Sequence, residues 1–131
     1  MSTARLFAAL ALPVCLLGGA AEAQSLTPML GRVASYGETF RLRVHPHNPF
    51  PRRMRMEVRV YDHEFRQVRA LISPWRFGIG ANDTRVVNVE VPFNGRAARK
   101  VRVCVEAMPY KGTNQRIKTQ VCGKFIAKRV R

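Results

Sequence analysis

Two stretches of the chain alternate apolar and polar side chains without a break. In Phe40-Arg41-Leu42-Arg43-Val44-His45 the apolar residues hold the even positions, and Met54-Arg55-Met56-Glu57-Val58-Arg59-Val60-Tyr61 repeats the pattern. A period of two is the period of a β-strand, whose successive side chains leave on opposite faces. A helix built from either stretch would scatter its apolar residues around the cylinder and bury no common face. Each stretch therefore predicts a strand with one buried and one wet side.

Further runs follow the same rule. Residues 84–91 carry Val87, Val89 and Val91 on one side. Val101, Val103 and Val105 mark another strand, and Ile117, Val121 and Phe125 mark the last. Weaker strands are expected at 29–35 and 68–73. Turn signals separate them: Tyr36-Gly37-Glu38, His45-Pro46-His47-Asn48-Pro49, Gly78-Ile79-Gly80-Ala81-Asn82-Asp83, Pro92-Phe93-Asn94-Gly95 and Lys111-Gly112-Thr113-Asn114. After residue 23 no segment shows a 3.6-residue period. The pattern predicts an all-β fold, an antiparallel immunoglobulin-like β-sandwich of about seven strands.

Residues 1–23 read differently. Arg5 starts a short positive region, Leu6 to Leu17 are apolar, and Ala21-Glu22-Ala23 has the small-x-small pattern of a signal-peptidase site. The apolar stretch spans only about 18 Å as a helix, too little for a stable membrane crossing. The residues before Cys15, Leu12-Pro13-Val14, lack the small side chains of a lipidation site. The expectation is a cleaved signal peptide (1–23) and one mature domain (24–131) with a basic tail, periplasmic or secreted. No transmembrane segment is expected after processing.

An exported chain that keeps two cysteines, Cys104 and Cys122, most simply forms one disulfide. The strand pattern tests this. If the two cysteines oppose each other in an antiparallel pair, Val105 meets Val121 and Val101 meets Phe125 on the apolar face. The turn then centres on Thr113, and the bridge falls on the polar face with Arg102, Glu106, Gln120 and Lys124. A redox-active pair is the alternative, but no CxxC spacing supports it.

Residues arranged for catalysis are scarce. There is no GxSxG, HExxH or phosphate loop. His45 and His47 flank a proline in a turn and would need further ligands to hold a metal. The expectation is no enzyme, no cofactor and no metal. The charge is more informative: 23 Lys and Arg face 8 Asp and Glu, a net charge of +15. Arg41, Arg43, Arg55, Arg59, Arg85, Arg102, Lys118 and Lys124 fall on the polar sides of their strands, and Arg52-Arg53 and Arg99-Lys100 add clusters. The expected register sets Arg102 opposite Lys124, a repulsive pair unless an anion docks between them. Export makes nucleic acid an unsuitable physiological partner. Lipopolysaccharide phosphates, other anionic envelope polymers or a protein carboxylate suit the charge better.

The order of motifs resembles that of a known family. Phe40–His45 is followed by Asn48-Pro49 and by Val58-Arg59-Val60-Tyr61-Asp62. Then Ile72-Ser73-Pro74-Trp75-Arg76-Phe77-Gly78 leads into Val103-Cys104-Val105-Glu106-Ala107-Met108-Pro109. This resembles the N-terminal immunoglobulin-like domain of periplasmic pilus chaperones, over most of 29–126. The resemblance implies a domain that holds a pilin-like subunit by adding a strand, with an Arg and a Lys anchoring the subunit's terminal carboxylate. By position, Lys124 is similar to that Lys and Arg32 to that Arg, while Ile117, Val121 and Phe125 correspond to the apolar donor row. The chain departs from the family in three ways. The second domain has no counterpart, the last inter-strand loop is short, and the disulfide pins the donor strand to its neighbour.

Two functions follow as expectations. One is an exported single-domain binding module that captures an exported protein through a sheet edge and basic groove. The other is an envelope structural protein whose Arg-rich sheet face binds polyanions.

Overall fold

The computed structural model describes residues 25–110 and 118–130. Nine strands are present among them: β1 (Ser25–Thr27), β2 (Leu30–Ser35), β3 (Thr39–His47), β4 (Met54–Asp62), β5 (Leu71–Ser73), β6 (Arg76–Ile79), β7 (Val87–Pro92), β8 (Ala98–Pro109) and β9 (Thr119–Arg129). They form a sandwich of two sheets, one ordered β1-β3-β7-β5 and the other β2-β9-β8-β4-β6. The immunoglobulin-like all-β fold is therefore present. The expected signal peptide, the Thr113 turn and Ile117 lie outside the described residues.

The period-two pattern explains which side of each strand is inside. Phe40, Leu42 and Val44 of β3 face Met54, Met56, Val58 and Val60 of β4 across the interior, joined by Val87, Val89 and Val91 of β7 and Val101, Val103 and Val105 of β8. Phe40 and Phe93 pack at 4.9 Å between ring centroids, tilted by 52°, a favoured aromatic geometry. Burying each Val or Leu side chain contributes about 1.5–3 kcal/mol before the entropy of ordering it is set against that.

The β8–β9 register is the expected one. Cys104 opposes Cys122, Val105 opposes Val121, Arg102 opposes Lys124 and Val101 opposes Phe125. The disulfide is formed, with the two Cα atoms 4.0 Å apart. Cys104 lies on the outer face of its sheet yet is buried, with Arg59 of β4 opposite it on the other side. Closing a loop of this size removes about 3 kcal/mol of freedom from the unfolded chain. Replacing both cysteines by Ala is accordingly expected to lower the thermal midpoint by roughly 10–20 °C. A melt of the variant beside the oxidised wild type checks it, and unchanged midpoints would show that the bridge adds nothing to stability.

Three features differ from the sequence expectation. First, β1 and β2 are one chain segment that changes sheets. Ser25–Thr27 pairs antiparallel with β3, whereas Leu30–Ser35 pairs parallel with β9. The fold is thus antiparallel except at this pair. Alternation reports which face a residue takes but not which strand lies beside it, so the parallel pairing left no mark.

Second, β6 runs through residues read as a turn, with Phe77 and Ile79 buried beneath it. It is short and at the sheet margin, where a glycine costs little pairing. A Cβ at Gly78 would displace the Tyr110 hydroxyl and the Arg53 guanidinium, whose Nη2 lies 2.8 Å from that position, the far ends of two flexible side chains. Third, β7 begins at Val87 rather than 84.

The Phe93-Asn94-Gly95-Arg96 turn is as expected. Asn94 and Gly95 take φ of 52° and 75°, and the Arg96 amide donates to the Phe93 carbonyl at 3.1 Å. These are the residues that tolerate left-handed backbone.

Candidate functional site

The outer face of the five-stranded sheet is where the cations gather. Alternation sends Lys124, Ile126 and Lys128 of β9 outward, with Leu30, Arg32 and Ala34 of β2 on one side and Lys100 and Arg102 of β8 on the other. Three adjoining hollows meet around Ile126. One, of about 460 Å³, is lined by Leu30, Gly31, Arg32, Lys124 and Ile126. A second, about 370 Å³, adds Val33, Ala34 and Lys128. The third, about 250 Å³, is bounded by His63, Lys100, Arg102 and Lys124. None of the residues lining them is a carboxylate.

Arg32 and Lys124, far apart in sequence, thus border one hollow. The parallel β2–β9 pairing puts them there, since Leu30 stands opposite Lys124 and Arg32 opposite Ile126. Arg102 is directly across from Lys124, but its charge is drawn aside. Its guanidinium carbon sits 4.3 Å from the centre of the Phe65 ring, close enough for a cation–π attraction of about 0.5–1 kcal/mol at an exposed site.

Phe65 was not foreseen. It holds the left-handed backbone conformation, φ 59°, which an aromatic residue adopts at a cost of about 1–3 kcal/mol. The turn around it is braced by Asp62, whose Oδ1 accepts the amides of Glu64 at 2.8 Å and Arg66 at 2.9 Å. The strain is matched to a ring that stays half exposed and covers Arg102.

The apolar row fares differently. Phe125 is 3% exposed and belongs to the core, and Val121 packs against that core from the inner face. Gly31 and Gly123 lie beneath the Phe125 ring: a Cβ on either would come within 2.8–2.9 Å of it. Val121 and Phe125, two of the residues matched to a partner-facing row, are therefore inward-facing, because odd positions of β9 point into the sandwich; Ile117, the third, lies outside the described residues. The outward apolar residue is Ile126. A signal for it exists in the sequence, since Phe125-Ile126-Ala127 breaks the alternation with three apolar residues in succession.

One edge stands open. β8 pairs with β9 from Thr119 to Lys128, but β2 covers β9 only from Lys124 to Arg129. No other described strand pairs with residues 120–123 on that side. The Lys124 amide donates outward to the Met29 carbonyl at 2.8 Å. By the period of the strand, the amides of Cys122 and Gln120 aim the same way.

The opposite sheet carries a larger hollow, about 790 Å³, lined by Arg41, Arg43, Leu71, Ser73, Asn88 and Glu90 among others, so a carboxylate already stands beside its cations. Arg41 is 3.7 Å from Glu90 on its outer face, and His47 Nδ1 is 2.9 Å from the Thr84 hydroxyl. Among the described residues no group of three or more His, Cys, Asp or Glu is placed to hold a metal ion. One cation is buried: Arg99, whose guanidinium donates to the Pro92 carbonyl. Burial, with the neighbouring Arg96 charge, lowers its pKa from the ordinary arginine value, and Asp62 partly offsets this.

The fold is similar to that of periplasmic pilus chaperones. Among solved structures, the chain is similar to the chaperone DraB of E. coli (TM-score 0.68, 12% identity, 82% of this chain and 55% of that one). It is similar also to the SafB chaperone in complex with the SafA pilin of Salmonella enterica (TM-score 0.67, 15% identity, 82% and 54%). A PapD-like domain of human CEP192 matches over 99% of this chain and 96% of its own, at TM-score 0.62 and 14% identity. The chain spans just over half the length of the chaperones it matches. No protein-family model and no curated protein sequence matches it.

Proposed function

We propose that this chain is a periplasmic or secreted binding module that captures an exported protein, pilin-like in kind, by strand addition. The partner's strand lies along residues 120–123 of β9. Lys124, Arg102 and Arg32 grip an anionic group of the partner beside it. The observation that carries this reading is the half-covered last strand: β2 pairs with its second half, and no described strand pairs with residues 120–123 on that side. Main-chain hydrogen bonds to such an edge give affinity independent of the partner's side chains. The cations and Ile126 flanking the edge supply selection for charge. The role is binding, not catalysis. Similarity to SafB and to the CsuC–CsuE chaperone–tip adhesion subunit complex of Acinetobacter baumannii supports a subunit-holding role.

Two variants separate this from binding of envelope polyanions by distributed charge. Gln120→Pro removes an outward amide without touching the β8 ladder. Lys124→Ala removes a charge opposite Arg102. Lys124→Ala is expected to weaken capture by about 1–3 kcal/mol and to leave the thermal midpoint unchanged or slightly higher, because repulsion is relieved. Gln120→Pro is expected to abolish capture in a periplasmic extract while the domain stays folded. Capture that persists in Gln120→Pro and fades with salt alone would assign binding to distributed charge instead.

A further inference from the structure

A second group of cations gathers at the other margin of the same sheet, away from β9. Its centre is Gly78 of β6. Arg55 stands opposite Gly78 in the β4–β6 register, and both face outward. The missing Cβ of Gly78 lets the Arg53 guanidinium lie on the strand, with Nη2 and Nε 2.8 and 3.0 Å from where a Cβ would be. Arg53 is steadied there by the Tyr110 hydroxyl, 3.5 Å from its Nε. Arg85 arrives from the segment before β7. Its Nη1 donates to the Gly78 carbonyl at 3.4 Å, and its guanidinium sits 5.2 Å from the Phe77 ring centre.

Two guanidinium groups thus touch Gly78, Arg53 over its outer face and Arg85 at its carbonyl, with Arg55 on the strand opposite, and among the described residues none of the three forms an ion pair with a carboxylate. The acidic residue closest along the same face, Glu57, is already held by Arg59 at 3.1 Å and Arg76 at 3.5 Å. Asp83 turns its carboxylate to the Thr84 amide at 2.9 Å. Arg55 Nε is buried without a hydrogen-bond acceptor among the described residues. Like charges gathered at close range raise the free energy of the fold unless something neutralises them. A monocarboxylate would answer one of the three. A phosphate group carries up to two charges and presents several oxygens at the spacing of guanidinium forks.

We propose that Arg53, Arg55 and Arg85, gathered around Gly78 at the β6 margin, form a phosphate-binding site separate from the β9 edge. Gly78 sets its geometry, and Tyr110 fixes one of the three forks. The chemistry it recognises is a phosphate monoester or free phosphate. In an exported protein, the two sources are a phosphorylated lipid headgroup and soluble phosphate.

The test is a calorimetric titration of the full chain with sodium phosphate at constant ionic strength. Saturable binding is expected. The double variant Arg53→Gln and Arg55→Gln is expected to lose about tenfold or more in affinity. Arg43→Gln with Arg69→Gln removes the same number of charges at exposed positions outside both cation clusters and is expected to leave affinity within about twofold. Gly78→Ala keeps every charge but pushes Arg53 and Tyr110 off the strand. It is expected to weaken phosphate binding severalfold, which also covers the case of an arginine variant that does not fold.

Vesicles containing phosphatidic acid, compared with phosphatidylglycerol vesicles of equal surface charge, identify the source. Preference for the monoester lipid, lost in the Arg53 and Arg55 variant, points to a headgroup. Phosphate binding with no lipid preference points to the soluble ion. Binding that does not saturate, or that falls equally in the two double variants, would overturn the proposal.

Discussion

Asn48→Asp is expected to unfold the domain at temperatures where the wild type is stable. Asn48 is wholly buried, and its amide is the hub of the loop that follows β3. Nδ2 donates to the carbonyls of Arg52 at 2.9 Å, Gly80 at 3.0 Å and Ile79 at 3.3 Å. Oδ1 accepts the Phe50 amide at 3.0 Å, and the Asn48 backbone amide donates to Asp83 at 2.9 Å. One side chain therefore ties the β3–β4 connection to the end of β6.

The substitution keeps the size and reverses the chemistry. A carboxylate has no proton to give, so three carbonyl oxygens would face a buried negative charge. An uncompensated charge of this kind costs about 3–5 kcal/mol, which lowers the midpoint of a domain this size by roughly 15 °C or more. The sign with pH is definite. Burial raises the folded pKa of the introduced carboxyl above its unfolded value of about 3.9. The penalty is therefore small below that value, grows as pH rises, and is complete above the folded pKa. Melts of the variant from pH 3 upward, each beside the wild type, check this. A loss independent of pH would mean the donor's absence alone matters.

Phe125→Ala is the second large expectation, about 3–5 kcal/mol. The ring fills the interior where β9 meets β2, and it lies over Gly31 and Gly123, neither of which has a side chain to replace it. Truncation leaves a cavity and uncovers two strands of bare backbone at once. The parallel β2–β9 pair should loosen first, seen as faster amide exchange at 124–129 than in β4 or β7. The outcome also separates two roles for this residue. A Phe presented to a partner could be cut back with no loss of stability in the free domain, whereas a core Phe cannot. Gly123→Ala should cost less, about 1–2 kcal/mol, through displacement of the same ring. Phe125→Leu should suppress much of that cost, a coupling that a double-mutant cycle measures.

The charge of the chain also becomes clearer once its carboxylates are located. Glu57 serves Arg59 and Arg76, Glu90 serves Arg41 and the Thr39 hydroxyl, and Glu64 serves Arg66. These cations therefore have counterions within the fold. The groups around Ile126 and around Gly78 have none among their described neighbours. Two groups of cations without an ion pair to a described carboxylate, Arg32, Lys100, Arg102, Lys124 and Lys128 in one and Arg53, Arg55 and Arg85 in the other, thus lie toward opposite margins of one sheet.

Alternation alone determined the fold class, the inner and outer face of β3, β4, β7 and β8, and the cysteine pairing with its register. The reason is local: a strand's side chains alternate whatever its neighbours are, and a disulfide between opposed positions permits one register. The glycine and proline clusters located most turns for an equally local reason, the backbone angles those residues tolerate.

Only the tertiary structure decided which strands lie side by side. It sent the first segment from one sheet to the other and laid β2 parallel to β9. That pairing brought Arg32 to Lys124, moved Phe125 from an expected contact row into the core, and left the first half of β9 uncovered. It also made a strand of Arg76–Ile79, whose Gly78 reads as a breaker in sequence and serves in the fold as a seat for Arg53. Strand neighbours are chosen by packing and hydrogen bonds between residues distant in the chain. No period within a single segment encodes that choice.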